Sequence, residues 1–146
     1  MKKLLIYILP LILLAGFALP GNLSIAQSGP LPTPTVTNNG QSGIMFDVVA
    51  LTTVNITQLA MDFDNGTYNI EIYSIPGTHV GNEMNAAAWT LLGTANAWVA
   101  TGGTNVTIPI AINVSLCPGD VGGFYVTANN ATNGNYSNGT GVGNVI

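Results

Sequence analysis

The chain has 146 residues, of which 47% are hydrophobic and only 5% charged, and six Asp and Glu outweigh two Lys to give a formal charge of −4. Both cations, Lys2 and Lys3, stand at the amino terminus, so nothing further along neutralises phosphate; this excludes nucleic acid and argues against phosphate-bearing cofactors and anionic membranes. Patterned apolar runs exclude disorder, and one cysteine (Cys117) beside one histidine (His79) excludes both an internal disulfide and a zinc-type site.

The first stretch, "MKKLLIYILPLILLAGFALPGNLSIAQS", has two lysines, an apolar run, and the small residues Ser24 and Ala26 ahead of Gln27. It reads as a signal peptide over 1–26. An uncleaved anchor is the alternative, but Pro10, Pro20 and Gly21 interrupt the run. Cleavage leaves about 120 residues, enough for one domain, with no membrane insertion. All six acids remain on that piece, for a formal charge of −6. Residues 27–43, with Pro30, Pro32 and Pro34 among small polar residues, read as an extended leader.

From Ile44 onward the period is close to two. "GTYNIEIYSI" puts Tyr68, Ile70 and Ile72 on one face and Asn69, Glu71 and Tyr73 on the other, and "NVTIPIAI" does the same with Val106, Ile108, Ile110 and Ile112. Shorter strands are expected in "IMFDVVA" (44–50), "NITQLAMDF" (55–63), "WTLLGTANAWVA" (89–100) and "GGFYVTA" (122–128), separated by Gly, Asn and Asp turns. Pro109 cannot donate to a ladder, so its strand belongs at an edge or a bulge. A helical turn fits only 82–88, "NEMNAAA". The apolar phase predicts a core of Phe46, Val48, Leu59, Met61, Phe63, Tyr68, Ile70, Ile72, Val106, Ile108, Ile110 and Phe124. Six or seven short strands predict an all-β antiparallel β-sandwich over 44–146, jelly-roll or immunoglobulin-like. The ending "NGNYSNGTGVGNVI" looks stopped at the start of another strand, so this domain is expected to be incomplete at its C-terminus.

At "NNGQSGIMFDVVA", "VGNEMNAAAWTLLGT" and "LCPGDVGGFYVTA" the chain resembles exported β-sandwich modules in large secreted and surface proteins of Bacteroidetes-type bacteria. The resemblance spans most of 38–146 and implies a secreted or cell-surface location. Many such proteins end in a sorting domain for type IX secretion, which again implies a truncated chain. No catalytic residue is carried over by it.

Candidate chemistry is sparse. Between the strands ending near Ile75 and beginning at Trp89 lies a loop with His79, Glu83, Met84 and Asn85. Glu83 and Asn85 could bond sugar hydroxyls while Trp89 stacks on a sugar face. The plainer alternative is a long connection with Ala86–Ala88 packed under the sheet edge and Trp89 in the core. In "DFDNGT" (62–67), Asp62 and Asp64 resemble half of a calcium loop, although calcium takes six to eight oxygens and only Glu71 follows. A hairpin turn at Asp64-Asn65-Gly66 explains the same letters. His79, with no nucleophile motif near any serine, reads as exposed and inert. Seven Asn-x-Ser/Thr triplets after residue 26, at Asn55, Asn65, Asn105, Asn113, Asn130, Asn135 and Asn138, follow from an Asn- and Thr-rich composition.

These readings point to a non-enzymatic adhesion or display module with weak carbohydrate binding, its partners being glycans or other surface proteins. Exposure of Trp98 or Tyr73 would favour it. One alternative is a filament or surface-layer subunit assembling by edge-strand pairing. A remoter one is a glycoside hydrolase using two of the six acids. No catalytic residue is singled out, and no cofactor is expected beyond calcium.

Overall fold

The computed structural model describes residues 39–129 and 134–136. The signal peptide expected at 1–26 and the C-terminal apolar pair lie outside these residues. Within them every ladder is antiparallel, and the helical content is one 3-10 turn, Ala86–Ala88. The described part of the chain is therefore all-β, and its layers are sandwich-like.

One layer is a four-stranded sheet of β2 (Gly43–Val49), β5 (Gly66–Pro76), β6 (Thr90–Ala100) and β9 (Val121–Ala128), in the order β2-β9-β5-β6. The strict alternation of β5 explains its place at the centre. Tyr68, Ile70 and Ile72 are buried while Glu71 and Tyr73 reach the other face. In β6 the alternation breaks, because Ala95 and Trp98 are both buried though three residues apart. A β-bulge reconciles them: Tyr68 pairs with Trp98 but Ile70 with Ala95, and Ala97 turns into the left-handed region at φ 53°. The Asn69 side-chain oxygen accepts the Ala97 N–H at 3.1 Å and holds the bulge in place.

The other layer is assembled from shorter ladders. β3 (Val54–Ile56) pairs with β8 (Val114–Leu116), and β4 (Ala60–Met61) with β7 (Val106–Thr107). The N–H groups of Ile112 and Ile108 donate to Thr57 and Leu59 carbonyls, both at 2.9 Å, and carry the ladder across the gap. Seven steps from Val54 to Met61 face ten from Leu116 to Val106. The surplus is taken up around Pro109, where the Ile110 N–H turns back to the Ile108 carbonyl at 2.8 Å. Pro109 thus sits at an irregularity, as its missing N–H requires. The continuous strand expected over 105–112 is broken there, yet Ile108, Ile110 and Ile112 all stay buried.

β1 (Asn39–Gln41) pairs with β10 (Gly134–Tyr136), and β10 joins the β4 side through a Phe63–Gly134 bridge and an Asn135 N–H bond to the Asp62 carbonyl at 2.8 Å. Strand pairing is therefore present at Asn39–Gln41, inside the stretch expected to be leader. The layers meet through Phe63, Phe124, Ile70, Ile72, Ile108 and Val126, each under 2% exposed. Phe63 lies edge-on to Trp98 at 5.5 Å and 5.0 Å from Tyr68. Ile110 fills the space above Gly93, where a Cβ would come within 2.6 Å of its Cγ2.

The predicted core is corrected at its margins. Phe46, Val48, Leu59 and Val106 are half-buried and pack against the cluster rather than within it. Trp98 is buried, and its indole N–H donates to the Thr107 carbonyl at 3.0 Å.

Candidate functional site

Register across the four-stranded sheet determines what its outer face presents. Met45 pairs with Tyr125, Tyr125 with Tyr73 and Tyr73 with Leu91; one row along, Thr127 pairs with Glu71 and Glu71 with Thr94. Tyr73 and Tyr125 stack at 5.9 Å with their planes at 26° to each other. The Tyr73 hydroxyl donates to Glu71 Oε2 at 2.7 Å. That bond to a carboxylate, followed by burial, raises the Tyr73 pKa above its ordinary 10.0.

Over this face lies the connection from β5 to β6. Gly77 and Gly81 adopt positive φ, 87° and 85°, and turn the chain back across the sheet. The Gly77 N–H donates to the Val121 carbonyl at 2.8 Å. Asp47 on β2 then ties the loop down: it accepts the Thr78 hydroxyl at 2.6 Å and the His79 N–H at 2.8 Å, with His79 Nδ1 2.8 Å from the same carboxylate. Burial pushes the Asp47 carboxyl up, but the Thr78 and His79 hydrogen bonds outweigh it and leave the pKa below the ordinary 3.8. Beneath the loop Gly123 supplies the room, since a Cβ there would sit 2.6 Å from Ile75 Cγ2, 3.1 Å from His79 N and 3.2 Å from Gly77 O. His79 is therefore a half-buried tether, which corrects its expected exposure.

The rest of the loop positions Trp89. The Asn82 N–H bonds the His79 carbonyl, and the Asn82 carbonyl in turn accepts the Trp89 indole N–H at 3.0 Å. Trp89 is half-buried on the outer face, 6.0 Å from the Tyr125 ring at 60°. This corrects the reading of Trp89 as core. Glu83 bends back so that Oε2 accepts the Gly81 N–H at 2.8 Å. Loop and sheet together enclose an open groove of about 420 Å³, lined by Trp89, Tyr125, Tyr73, Glu71, Glu83 and Met84 among others. Met84 is 97% exposed, a flexible thioether at the rim.

Of the sequence candidates, Glu83 and Trp89 come together in this groove. Asn85 does not line it; it is exposed and serves the turn, its N–H bonding the Asn82 carbonyl at 3.1 Å and its own carbonyl accepting the Ala88 N–H at 3.0 Å. Tyr73, Tyr125 and Glu71 complete the groove; Tyr125 was not singled out, Tyr73 entered only as an exposure marker and Glu71 only as a third acid after Asp62 and Asp64. Their signal was the outward phase of two strands, which acquires meaning only once those strands are paired.

Asp62 and Asp64 lie elsewhere, where the chain crosses from one layer to the other. The expected hairpin at Asp64-Asn65-Gly66 is instead this crossing, because β4 pairs with β7 while β5 pairs with β6 and β9. Asp62 Oδ1 accepts the Gly103 N–H at 2.9 Å and Asn65 Oδ1 the Gly102 N–H at 3.1 Å, which pins the β6–β7 loop to this corner. Asp64 Oδ1 accepts from the Asn135 side chain at 3.2 Å. Asp62 is 3% exposed and its Oδ2 has no partner, the one feature a cation would satisfy. Among the described residues no three His, Cys, Asp or Glu side chains come together, so the acidic donors fall short of what calcium ordinarily recruits.

A second concavity of about 580 Å³ opens where β8 faces the ends of β5 and β9. Its acid, Asp120, is engaged by the Cys117 N–H at 2.7 Å, and no ring is offered there for stacking beyond the buried Phe124. The groove under Trp89 is the better-equipped site. No protein-family profile, curated protein or solved structure matches this chain.

Proposed function

We propose that the chain is a secreted or cell-surface, non-enzymatic jelly-roll module that binds carbohydrate in the Trp89 groove. The carrying observation is the line of three rings, Trp89, Tyr125 and Tyr73, on an open sheet face with Glu71 and Glu83 beside them. Aromatic faces stack on the apolar faces of sugars, and neighbouring carboxylates accept hydroxyl hydrogen bonds. Export is supported by the Lys2-Lys3 start with its apolar run and by the resemblance to Bacteroidetes-type surface modules.

The strand order favours a jelly roll over an immunoglobulin-like sandwich. One sheet runs β2-β9-β5-β6, and the linked ladders run β1, β10, β3/β4, β7/β8. The last described strand thus sits between the first strand and β4, in the layer opposite β9. An immunoglobulin-like order would set it beside β9 instead.

Titration of the full chain with a panel of neutral oligosaccharides, followed by calorimetry, tests the function. Binding should be lost in Trp89→Ala and Tyr125→Ala at unchanged unfolding midpoints. Absence of binding across the panel would overturn the reading. Release of shorter sugars during the same titration would instead favour a glycoside hydrolase with Glu71 and Glu83 as its carboxylate pair.

The filament alternative has one observation behind it. β6 is an eleven-residue edge strand without a charged side chain, exposing Leu91 and Val99. Such an edge is open to pairing with another chain, though its bulges blunt it. Concentration-dependent oligomers abolished by Val99→Lys would support that reading.

A further inference from the structure

We infer that the groove selects glycans bearing free amines, the ligand's ammonium groups lying between the ring faces and the Glu71 and Glu83 carboxylates. This rests on the carbohydrate reading and names the class of sugar.

Three rings and two carboxylates line one open groove. Each carboxylate has a single internal commitment, Glu71 Oε2 to the Tyr73 hydroxyl and Glu83 Oε2 to the Gly81 N–H. The Oε1 oxygens therefore remain to receive a ligand. Aromatic faces attract cations through their quadrupole, most strongly for Trp and Tyr. A protonated amine satisfies both kinds of group at once, whereas a neutral sugar leaves the two negative charges without a counterpart.

The rest of the chain reinforces this preference. Lys2 and Lys3 are its only Lys or Arg residues, and among the described residues no Lys or Arg lines the groove or competes for its acids. The one imidazole, His79, is engaged by Asp47. Net negative charge draws polycations toward the surface and repels acidic glycans. Carboxylated or sulfated sugars are accordingly the class this groove rejects.

The test compares three β-1,4-linked tetramers of equal length, made of glucosamine, N-acetylglucosamine or glucose. Each is titrated calorimetrically into the full chain at about pH 6, where carboxylates are ionised and aliphatic amines protonated. The glucosamine tetramer should bind about tenfold more tightly than either neutral one, and the advantage should shrink as salt is raised. Glu71→Gln and Glu83→Gln should each cut the ratio of glucosamine to neutral affinity by roughly threefold to fivefold, an effect of the size expected of partly exposed charge pairs. Unfolding midpoints of both variants show whether they fold, and Glu83→Gln, on the exposed loop, carries the test if Glu71→Gln does not.

Equal or tighter binding of a neutral tetramer overturns the amine inference and leaves the carbohydrate reading standing. Binding of none of the three overturns both. A glucosamine preference that survives both Glu→Gln changes overturns the assignment to this groove.

Discussion

Gly123→Ala probes whether the β5–β6 loop truly lies against the sheet. The new Cβ would come within 2.6 Å of Ile75 Cγ2, about 1 Å inside ordinary carbon–carbon contact. Its other neighbours, His79 N at 3.1 Å and Gly77 O at 3.2 Å, are backbone atoms that cannot rotate aside. Two responses are open to the protein. It can absorb the overlap, at the roughly 1–3 kcal/mol typical of overpacking. Or it can lift the loop and give up the three contacts to Asp47, about 2–4 kcal/mol at the usual worth of such bonds. The cheaper response sets the cost, so urea unfolding should show a loss of about 1–3 kcal/mol. Gly122→Ala is the comparison, because its Cβ would meet the ends of Leu116 at 3.1 Å and Phe124 at 3.4 Å, side-chain atoms with room to adjust. Gly122→Ala should therefore cost less. If Gly123→Ala lies within about 0.5 kcal/mol of the parent, the surface-substitution range, or is milder than Gly122→Ala, the loop does not rest where this reasoning places it.

Ala97→Gly should stabilise the chain by about 0.5–1 kcal/mol in the same unfolding assay, since φ 53° strains an L-residue and not glycine; a loss would mean that the bulge is not strained. Ile70→Ala, at a site 1% exposed, should cost about 2–5 kcal/mol, and a change under about 0.5 kcal/mol would show the phase of β5 to be misassigned. Because folding lowers the Asp47 pKa below 3.8, its contribution is complete above that value and is lost as pH falls through the lower folded one. Unfolding free energy should therefore drop on acidification below about pH 4, and less so in Asp47→Asn, as a urea series across pH would show. Millimolar calcium should leave the unfolding midpoint unmoved, given the short supply of acids around Asp62; a midpoint that climbs with the logarithm of calcium concentration would place the ion at the bare Asp62 oxygen.

The all-β character and the inward phase of β5 were legible because period-two alternation there is uninterrupted. β6 was legible as a strand but not in its phase. A bulge shifts the phase midway, and its only local sign is an alanine held in a conformation that no alphabet marks. Pro109 announced an irregularity, but not that three extra residues would be absorbed beside it while Ile108, Ile110 and Ile112 all kept their burial. β1 was missed because its three residues gain their place by pairing with β10, almost a hundred positions away. Asp64-Asn65-Gly66 has the letters of a hairpin, and only the partners of the flanking strands turn it into a crossing between layers.

The site was half legible for a related reason. Glu83 and Trp89 share a loop, so adjacency in sequence was enough to group them. Tyr73 and Tyr125 are 5.9 Å apart through register alone, and neither carries a local mark separating it from an ordinary outward tyrosine. What joins loop to sheet is a pair of residues with no functional look of their own. Asp47 anchors Thr78 and His79 from a neighbouring region of the sheet, and Gly123 contributes by lacking a side chain. If either fails, Trp89 and Glu83 remain in the sequence, but Tyr125, Tyr73 and Glu71 are left facing solvent without them. The groove we propose as a binding site therefore depends on a tether and a gap on β2 and β9, and on that proposal substitutions there should alter binding through loop placement while leaving every groove side chain intact.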